Sequence, residues 1–171
     1  MDHDLQRYLN DHLAGSAGAV RLIDHLAAHQ DDPAETEFFQ SLKAKVEADR
    51  EQLRDLLTRA RLKESAALQV AGKVTAGVSN LKLRWEGLEP GELGMLEALE
   101  MLTLGIQGKR QLWVMLGELA PAFPEWDGVP FTDLELAALK QRDEVEARRL
   151  RHGRDSLIDP ERRSAATIST T

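Results

Sequence analysis

Four long stretches of this chain each carry an apolar stripe at helical spacing, and each stripe is interrupted near its middle by small or polar residues. Steps of three and four residues place such a stripe on one face of a helix, and that face packs against other helices. No alternating pattern typical of strands competes with this one. The interrupting residues are therefore expected to form a polar belt inside a helical bundle. They are Ser16, Asp49, Lys109, Asp143 and Glu146.

The ends of these stretches carry helix signals. Asp32 can cap the second helix, with Pro33 in its first turn. Thr132 and Glu135 have the spacing of a capping box at the start of the fourth helix. The sequence predicts an all-α fold with helices over about 4–29, 33–62, 90–119 and 132–158.

A long connection separates the second predicted helix from the third. It contains a weaker helical segment, about 63–85, that is rich in alanine and valine. Short loops make antiparallel neighbours, whereas a connection of this length can cross the whole bundle. We expect one domain over residues 1–158, followed by a disordered polar tail over 159–171.

The composition excludes several classes of function. The 171 residues include no cysteine, which excludes disulfides, cysteine-ligated zinc, iron–sulfur clusters and thiol catalysis. The net charge of −7 argues against nucleic acid or an anionic membrane as a partner. No apolar run approaches the ~20 residues of a membrane span, and the start lacks a signal core. The acidity is typical of bacterial cytosolic proteins, and we predict a cytoplasmic location.

Charged residues inside a bundle must be paired, because a lone buried charge costs several kcal/mol. Lys109 is the internal cation available to the carboxylates of the belt. Further polar residues lie beside the belt positions and could reach it from the flanks. They are His12, Glu47, Arg50, Glu100 and Arg149.

This arrangement resembles the ferritin-like superfamily, which includes bacterioferritins and rubrerythrins. The segment Leu9-Asn10-Asp11-His12-Leu13 is similar to the start of the first bacterioferritin helix. The resemblance implies an antiparallel four-helix bundle, with an extra helical segment in the long crossover between the second and third helices. It also implies a di-metal site built from a Glu on each of the first and third helices and a Glu-x-x-His on each of the second and fourth.

The residues at those metal-site positions depart from the family pattern. Ser16 stands where the glutamate of the first helix would lie, and Glu47-Ala48-Asp49-Arg50 has arginine in place of histidine. Neither Glu144-Val145-Glu146-Ala147 nor Glu146-Ala147-Arg148-Arg149 offers a histidine in the fourth helix. In the third helix Glu97 and Glu100 are the nearest acids, but Lys109 takes the inward position. An ammonium there would repel a metal ion and neutralise carboxylates itself.

Other residues leave alternatives open. His12 borders the belt and could act as a ligand, a base or a hydrogen-bond donor, and His25 and His29 share one helix face. Glycines in the first and third helices allow either close backbone approach or a gap for a ligand. They are Gly15, Gly18, Gly105 and Gly108. Trp85 and Trp126 lie at helix or loop ends, where they could cover the bundle or form an oligomer contact.

Three functions follow from these observations. The first is a metal-free bundle with a structural or protein-interaction role, forming a homo-oligomer, of which a dimer is the simplest form. The second is a metalloprotein holding iron or manganese for oxidation chemistry or metal handling, with the ligands His12, Asp49, Glu100, Asp143 and Glu146. The third is a small-molecule binder between the first and third helices. The sequence contains neither a phosphate-binding loop nor a catalytic-triad spacing that would indicate an enzyme. The first hypothesis needs no cofactor.

Overall fold

The computed structural model describes residues 3–65, 91–159 and 162, and this part of the chain is helical without strands, as predicted. Of the extra segment predicted over 63–85, only residues 63–65 are described, and they are not helical. Of the predicted tail, only Asp159 and Arg162 are described. The long helices are α1 (His3–Ala28), α2 (Pro33–Arg59), α3 (Glu92–Leu119) and α4 (Phe131–Leu157), and short 3-10 turns at Ala120–Ala122 and Pro124–Trp126 link α3 to α4.

The predicted start of α2 is confirmed. The carboxylate of Asp32 accepts a hydrogen bond from the backbone N–H of Ala34 at 2.9 Å, and Pro33 occupies the first turn. This side chain satisfies one of the backbone donors that the helix leaves unpaired at its start. The short loop that follows α1 therefore fixes where α2 begins.

The predicted capping box of α4 is wrong. The helix begins at Phe131, with Pro130 at the N-cap, so Thr132 already lies inside the first turn. No side chain caps this end. Glu135 instead accepts a hydrogen bond from Arg110 of α3, with 2.6 Å between Nη2 and Oε1. A contact between helices has replaced the local one.

Two core clusters divide the bundle along its length. In one, the second half of α1 packs with the first halves of α2 and α3 and with Val145 of α4. In the other, the first half of α1 packs with the second halves of α2 and α3 and with the start of α4. It follows that α1 and α2 run in opposite directions, as do α3 and α4. The largest fully buried side chains in the two clusters are Phe39, Trp113 and Trp126.

The helices are not packed equally tightly. Contacts are dense between α3 and α4 and between α1 and α2, sparser between α1 and α3, and sparsest between α2 and α4. Between α2 and α4, Arg148 binds Glu35 at 2.8 Å and lies over the ring of Phe38 at 3.2 Å from its centroid. The side of the bundle between α2 and α4 is thus bridged by charge, whereas the side between α1 and α3 is open.

A buried asparagine holds the chain that leaves α2. Asn10 of α1 is 7% exposed, and its Oδ1 accepts a hydrogen bond from the backbone N–H of Ser65 at 2.7 Å. Its Nδ2 donates to the carbonyl oxygens of Gln6 and Lys63 at 2.7 and 3.0 Å. The start of the long connection is therefore fixed on α1.

Helix α3 is apolar on more than one face. Besides its buried residues it exposes large apolar side chains, among them Met101 at 38% and Leu104 at 67%. Among the described residues, no helix combines the length and the apolar character needed to cross a membrane. The second apolar face of α3 lies along the open side of the bundle.

Candidate ligand-binding groove

A buried ion pair lies at the centre of the bundle. The Nζ of Lys109 on α3 donates hydrogen bonds to Oδ2 of Asp49 on α2 and to Oε1 of Gln141 on α4. The side chains of Lys109 and Asp49 are only 13% and 12% exposed. The structure therefore brings together two of the five predicted belt residues. Gln141, which is 4% exposed, joins them in place of a second carboxylate.

Burial and the neighbouring Asp49 shift the pKa of Lys109 in opposite directions. Burial lowers the pKa of Lys109, and this is the largest influence, while the neighbouring Asp49 acts to raise it. Burial disfavours a charged group, and an opposite charge nearby favours it. The pair is thus held by a balance between the cost of removing two charges from water and their attraction.

Asp143 and Glu146 do not belong to the belt, contrary to the prediction. The side chain of Asp143 is 60% exposed and binds its neighbour Arg142 at 2.7 Å. Glu146 binds Arg149 one turn further along α4, and this hydrogen bonding lowers the pKa of Glu146. The physical reason is the rotation of α4, whose buried positions at this level are Ala138, Gln141 and Val145.

The remaining flanking residues lie outside the central pair. Glu100 binds Arg149 at 3.3 Å, and that cation also holds Glu146, so all three form a surface ion-pair group. Glu47 is exposed on α2. Burial lowers the pKa of His12, whose ring contacts that of Tyr8 edge-on at 4.7 Å between centroids.

Ser16 and Arg50 form a second polar group, between α1 and α2. One nitrogen of Arg50, Nη1, donates to the Ser16 hydroxyl at 2.7 Å and to the carbonyl oxygen of Leu13 at 3.0 Å. Burial lowers the pKa of Arg50. Both acceptors are neutral, and no carboxylate among the described residues lies within ion-pair distance of this guanidinium. The belt is therefore split into a neutralised pair and a separate cation.

The residues assigned to a metal site do not converge. Within the ranges 3–65 and 91–159, no group of three or more histidine, aspartate or glutamate residues is placed to hold a metal ion. Asp49 binds Lys109, while Glu100 and Glu146 bind Arg149. The rings of His25 and His29 lie 4.0 Å apart between centroids, tilted by 34°.

A groove of about 850 Å³ runs between α1 and α3. Its walls are mainly apolar, and the end near the second half of α1 is lined by Leu22, Leu102 and Ile106 together with the polar side chains of Arg21 and His25. Lys109, Asp49, Arg50 and Ser16 lie midway along it. The other end is lined by polar and aromatic side chains together with leucines. They are Tyr8, Asp11, His12, Leu53, Leu112 and Trp113.

The glycines of α1 and α3 face this groove and not a neighbouring backbone. A Cβ built at Gly15, Gly105 or Gly108 meets nothing within 4 Å. Close backbone approach is therefore wrong for these three positions. Missing side chains widen the space between the helices, and Gly18 also lines it.

Filling two of these glycine positions is expected to stabilise the protein. The double substitution Gly105→Ala with Gly108→Ala should raise the free energy of unfolding by about 1–2 kcal/mol, because alanine favours a helix interior by about 0.5–1 kcal/mol per position. Urea denaturation measures the change. As a control, Gly117→Ala should give a smaller gain or a loss, since its Cβ would lie 3.3 Å from Cβ of Phe131. A destabilised double variant would contradict the open groove.

One buried polar group in the groove lacks a partner. The indole nitrogen of Trp113 is buried, the residue is 1% exposed, and no hydrogen-bond acceptor for this nitrogen is found among the described residues. An unpaired buried donor costs about 1–3 kcal/mol, so such groups are rare. This unpaired donor could not be predicted from sequence, since Trp113 lies on an apolar seam that predicts ordinary core.

Comparison of the chain with models of known protein families, with curated proteins and with solved structures gave no match. The function is therefore argued from the groove itself.

Proposed function

We propose that this protein binds an apolar small molecule in the groove between α1 and α3. The observation that carries the proposal is the size and lining of that groove. Sites for small molecules have volumes of about 300–1,000 Å³ and mainly apolar walls with a few polar groups. The groove has about 850 Å³, and its few polar side chains lie midway along its length and at both ends.

The exposed apolar side chains of α3 support the same proposal. Met101 and Leu104 line the groove and leave 38% and 67% of their surface exposed. Covering such surface contributes about 25 cal/mol per Å² removed from water. A ligand lying along α3 would therefore gain affinity from side chains that the fold leaves uncovered. Exposed apolar surface also suits a protein contact. The volume and lining of the groove therefore carry the choice of the small-molecule hypothesis over a structural or protein-interaction role.

We also propose that the bundle has the ferritin-like connectivity. The first halves of α2 and α3 share one core cluster, and their second halves share the other. The connection between them must then pass from one end of the bundle to the other, as in the ferritin-like arrangement. In this proposal the Lys109–Asp49 pair takes the central position, and neither iron nor manganese is needed.

Blocking the groove with a large side chain tests the proposed binding of a small molecule. N-phenyl-1-naphthylamine, an uncharged probe that fluoresces in apolar surroundings, is expected to bind the wild-type protein saturably at one site. Gly105→Trp places a large ring in the groove and should weaken binding at least tenfold, which corresponds to about 1.4 kcal/mol. Fluorescence titration measures both affinities.

Val114→Trp is the matched control. Val114 is 40% exposed on the same helix but does not line the groove. It adds the same kind of apolar surface elsewhere, and binding should stay unchanged. The proposal fails if wild type shows no saturable binding, or if both tryptophan variants bind as well as wild type.

A further inference from the structure

Two donors in the groove lack the acceptor that their chemistry calls for. The buried indole N–H of Trp113 has no acceptor among the described residues. The half-buried guanidinium of Arg50 donates one nitrogen to two neutral oxygens and has no carboxylate within ion-pair distance. Both residues line the groove. Buried donors without acceptors indicate a missing partner, and a buried cation indicates a negatively charged one.

The carboxylates that act on Arg50 lie outside the groove, and none of them forms an ion pair with it. Glu51 and Glu64 lie near enough to influence Arg50, but both are bound by Arg54, at 2.5 and 3.3 Å. Glu47, the third acid nearby, is exposed. Inside the groove, Asp49 is neutralised by Lys109. Arg21, Arg50 and Lys109 are the cations that line the groove, and Asp11 and Asp49 are the anions, so the lining carries one net positive charge, although the whole chain carries −7.

The shape of the groove defines the rest of the ligand. From the level of Ser16 towards His25 the walls are mainly apolar, with Arg21 and His25 as polar residues towards the far end. At a rise of about 1.5 Å per residue this part of α1 is about 14 Å long. An extended hydrocarbon chain fits such a space. Its end at the level of Ser16 would meet Arg50, whose planar group suits a carboxylate.

We infer that the ligand is a long-chain monocarboxylate, whose head group accepts hydrogen bonds from Arg50 and Trp113 and whose chain lies between α1 and α3. This inference rests on the proposed function. It adds the chemical class of the ligand and assigns the selectivity to Arg50. Arg21, the other arginine that lines the groove, is exposed and has no part in it.

Two probes of equal chain length separate the inference from the proposed function. Decanoate and 1-decanol are titrated into the full-length protein by calorimetry at pH 8, where decanoate is ionised. A hydrogen bond to a charged group predicts that decanoate binds about tenfold or more tightly than decanol. If neither probe binds, the proposed function is overturned. If both probes bind equally tightly, only the monocarboxylate inference is overturned.

Arg50→Gln is expected to weaken decanoate binding about tenfold or more, by loss of the charged hydrogen bond, and to leave decanol binding unchanged. Arg50→Lys, which keeps the charge, should retain a preference for decanoate. Arg54→Gln removes the neighbouring cation outside the groove and should leave the preference in place. Decanoate binding that is equally strong in wild type and Arg50→Gln overturns the assignment to Arg50.

An NMR readout tests the head-group position directly. In a ¹H–¹⁵N spectrum, the Nε1–H signal of Trp113 should move downfield as decanoate is added, because it gains an acceptor. Trp126 is the internal control, since its Nε1–H already donates to the carbonyl oxygen of Leu56 at 3.0 Å. A Trp113 signal that stays in place at saturating decanoate overturns the contact with this residue.

Discussion

Lys109→Met is expected to lower the free energy of unfolding by about 3–5 kcal/mol, the cost of breaking a buried ion pair by removing one partner. The side chains of Lys109 and Asp49 are 13% and 12% exposed, so water screens the pair weakly. Methionine keeps the length of the side chain but leaves Asp49 as an uncompensated charge. It also removes the donor to Gln141. Urea denaturation with an unchanged m-value measures the loss.

Two further variants decide whether the loss of stability comes from the uncompensated charge of Asp49. Lys45→Met removes an exposed partner of Glu144, 43% exposed and 3.5 Å away, and should cost less than about 1 kcal/mol. Adding Asp49→Leu to Lys109→Met removes both charges and should recover at least half of the loss, since apolar replacement of a whole buried pair is often tolerated. A loss below about 1 kcal/mol for Lys109→Met alone would show that Lys109 is solvated.

Trp126→Ala is expected to lower the free energy of unfolding by about 3–5 kcal/mol, the usual cost of removing a large buried aromatic side chain. Trp126 is 1% exposed, although it lies in a 3-10 turn between α3 and α4. It stacks on Phe123 at 4.3 Å and meets Phe131 edge-on at 6.2 Å between ring centroids. The residue thus closes one end of the bundle.

Trp126→Phe separates packing from hydrogen bonding. The carbonyl oxygen of Leu56 accepts hydrogen bonds from both Trp126 and the backbone N–H of Ala60. Phenylalanine leaves this oxygen with its backbone partner, so the loss should be nearer about 1 kcal/mol. Thermal and urea denaturation measure both variants. A cost below about 1 kcal/mol for Trp126→Ala would contradict its role in closing the bundle.

Local sequence signals predicted the four long helices and the start of α2, because these depend on neighbouring residues. Asp32 and Pro33 define the start of α2 within the chain itself. The rotation of α4 could not be predicted in the same way. The predicted core face of α4 contained Leu136 and Leu150, yet these side chains are 55% and 47% exposed. The smaller residues Ala138 and Val145 are buried instead.

Contacts between helices explain that rotation. Arg110 of α3 binds Glu135, and Glu35 of α2 binds Arg148, at the two ends of α4. Pairs of this kind join residues that are far apart in sequence. The same charged residues could form many alternative pairs, so the observed pairs could not be predicted. The same rotation turns Gln141 inward and leaves Asp143 and Glu146 outside, so one error in register removed a true belt residue and added two false ones.

The central ion pair could be predicted from the sequence, but the groove could not. Lys109 and Asp49 interrupt apolar seams, and a buried charge requires a partner, so their pairing follows from general energetics. Glycine at positions 15, 105 and 108 fits both a close contact and a gap. Only the distance between α1 and α3 separates these alternatives, and a helical pattern contains no such distance.

The most direct test of the groove as a binding site follows the methionine methyl groups by NMR. Met101 lines the groove, whereas Met115, on the same helix and 48% exposed, does not, and Met95 is buried in the core. With ¹³C-methyl methionine, titration with decanoate should shift Met101 saturably and leave Met115 and Met95 in place. A Met101 signal that does not move, or equal non-saturating shifts of Met101 and Met115, would contradict binding in the groove.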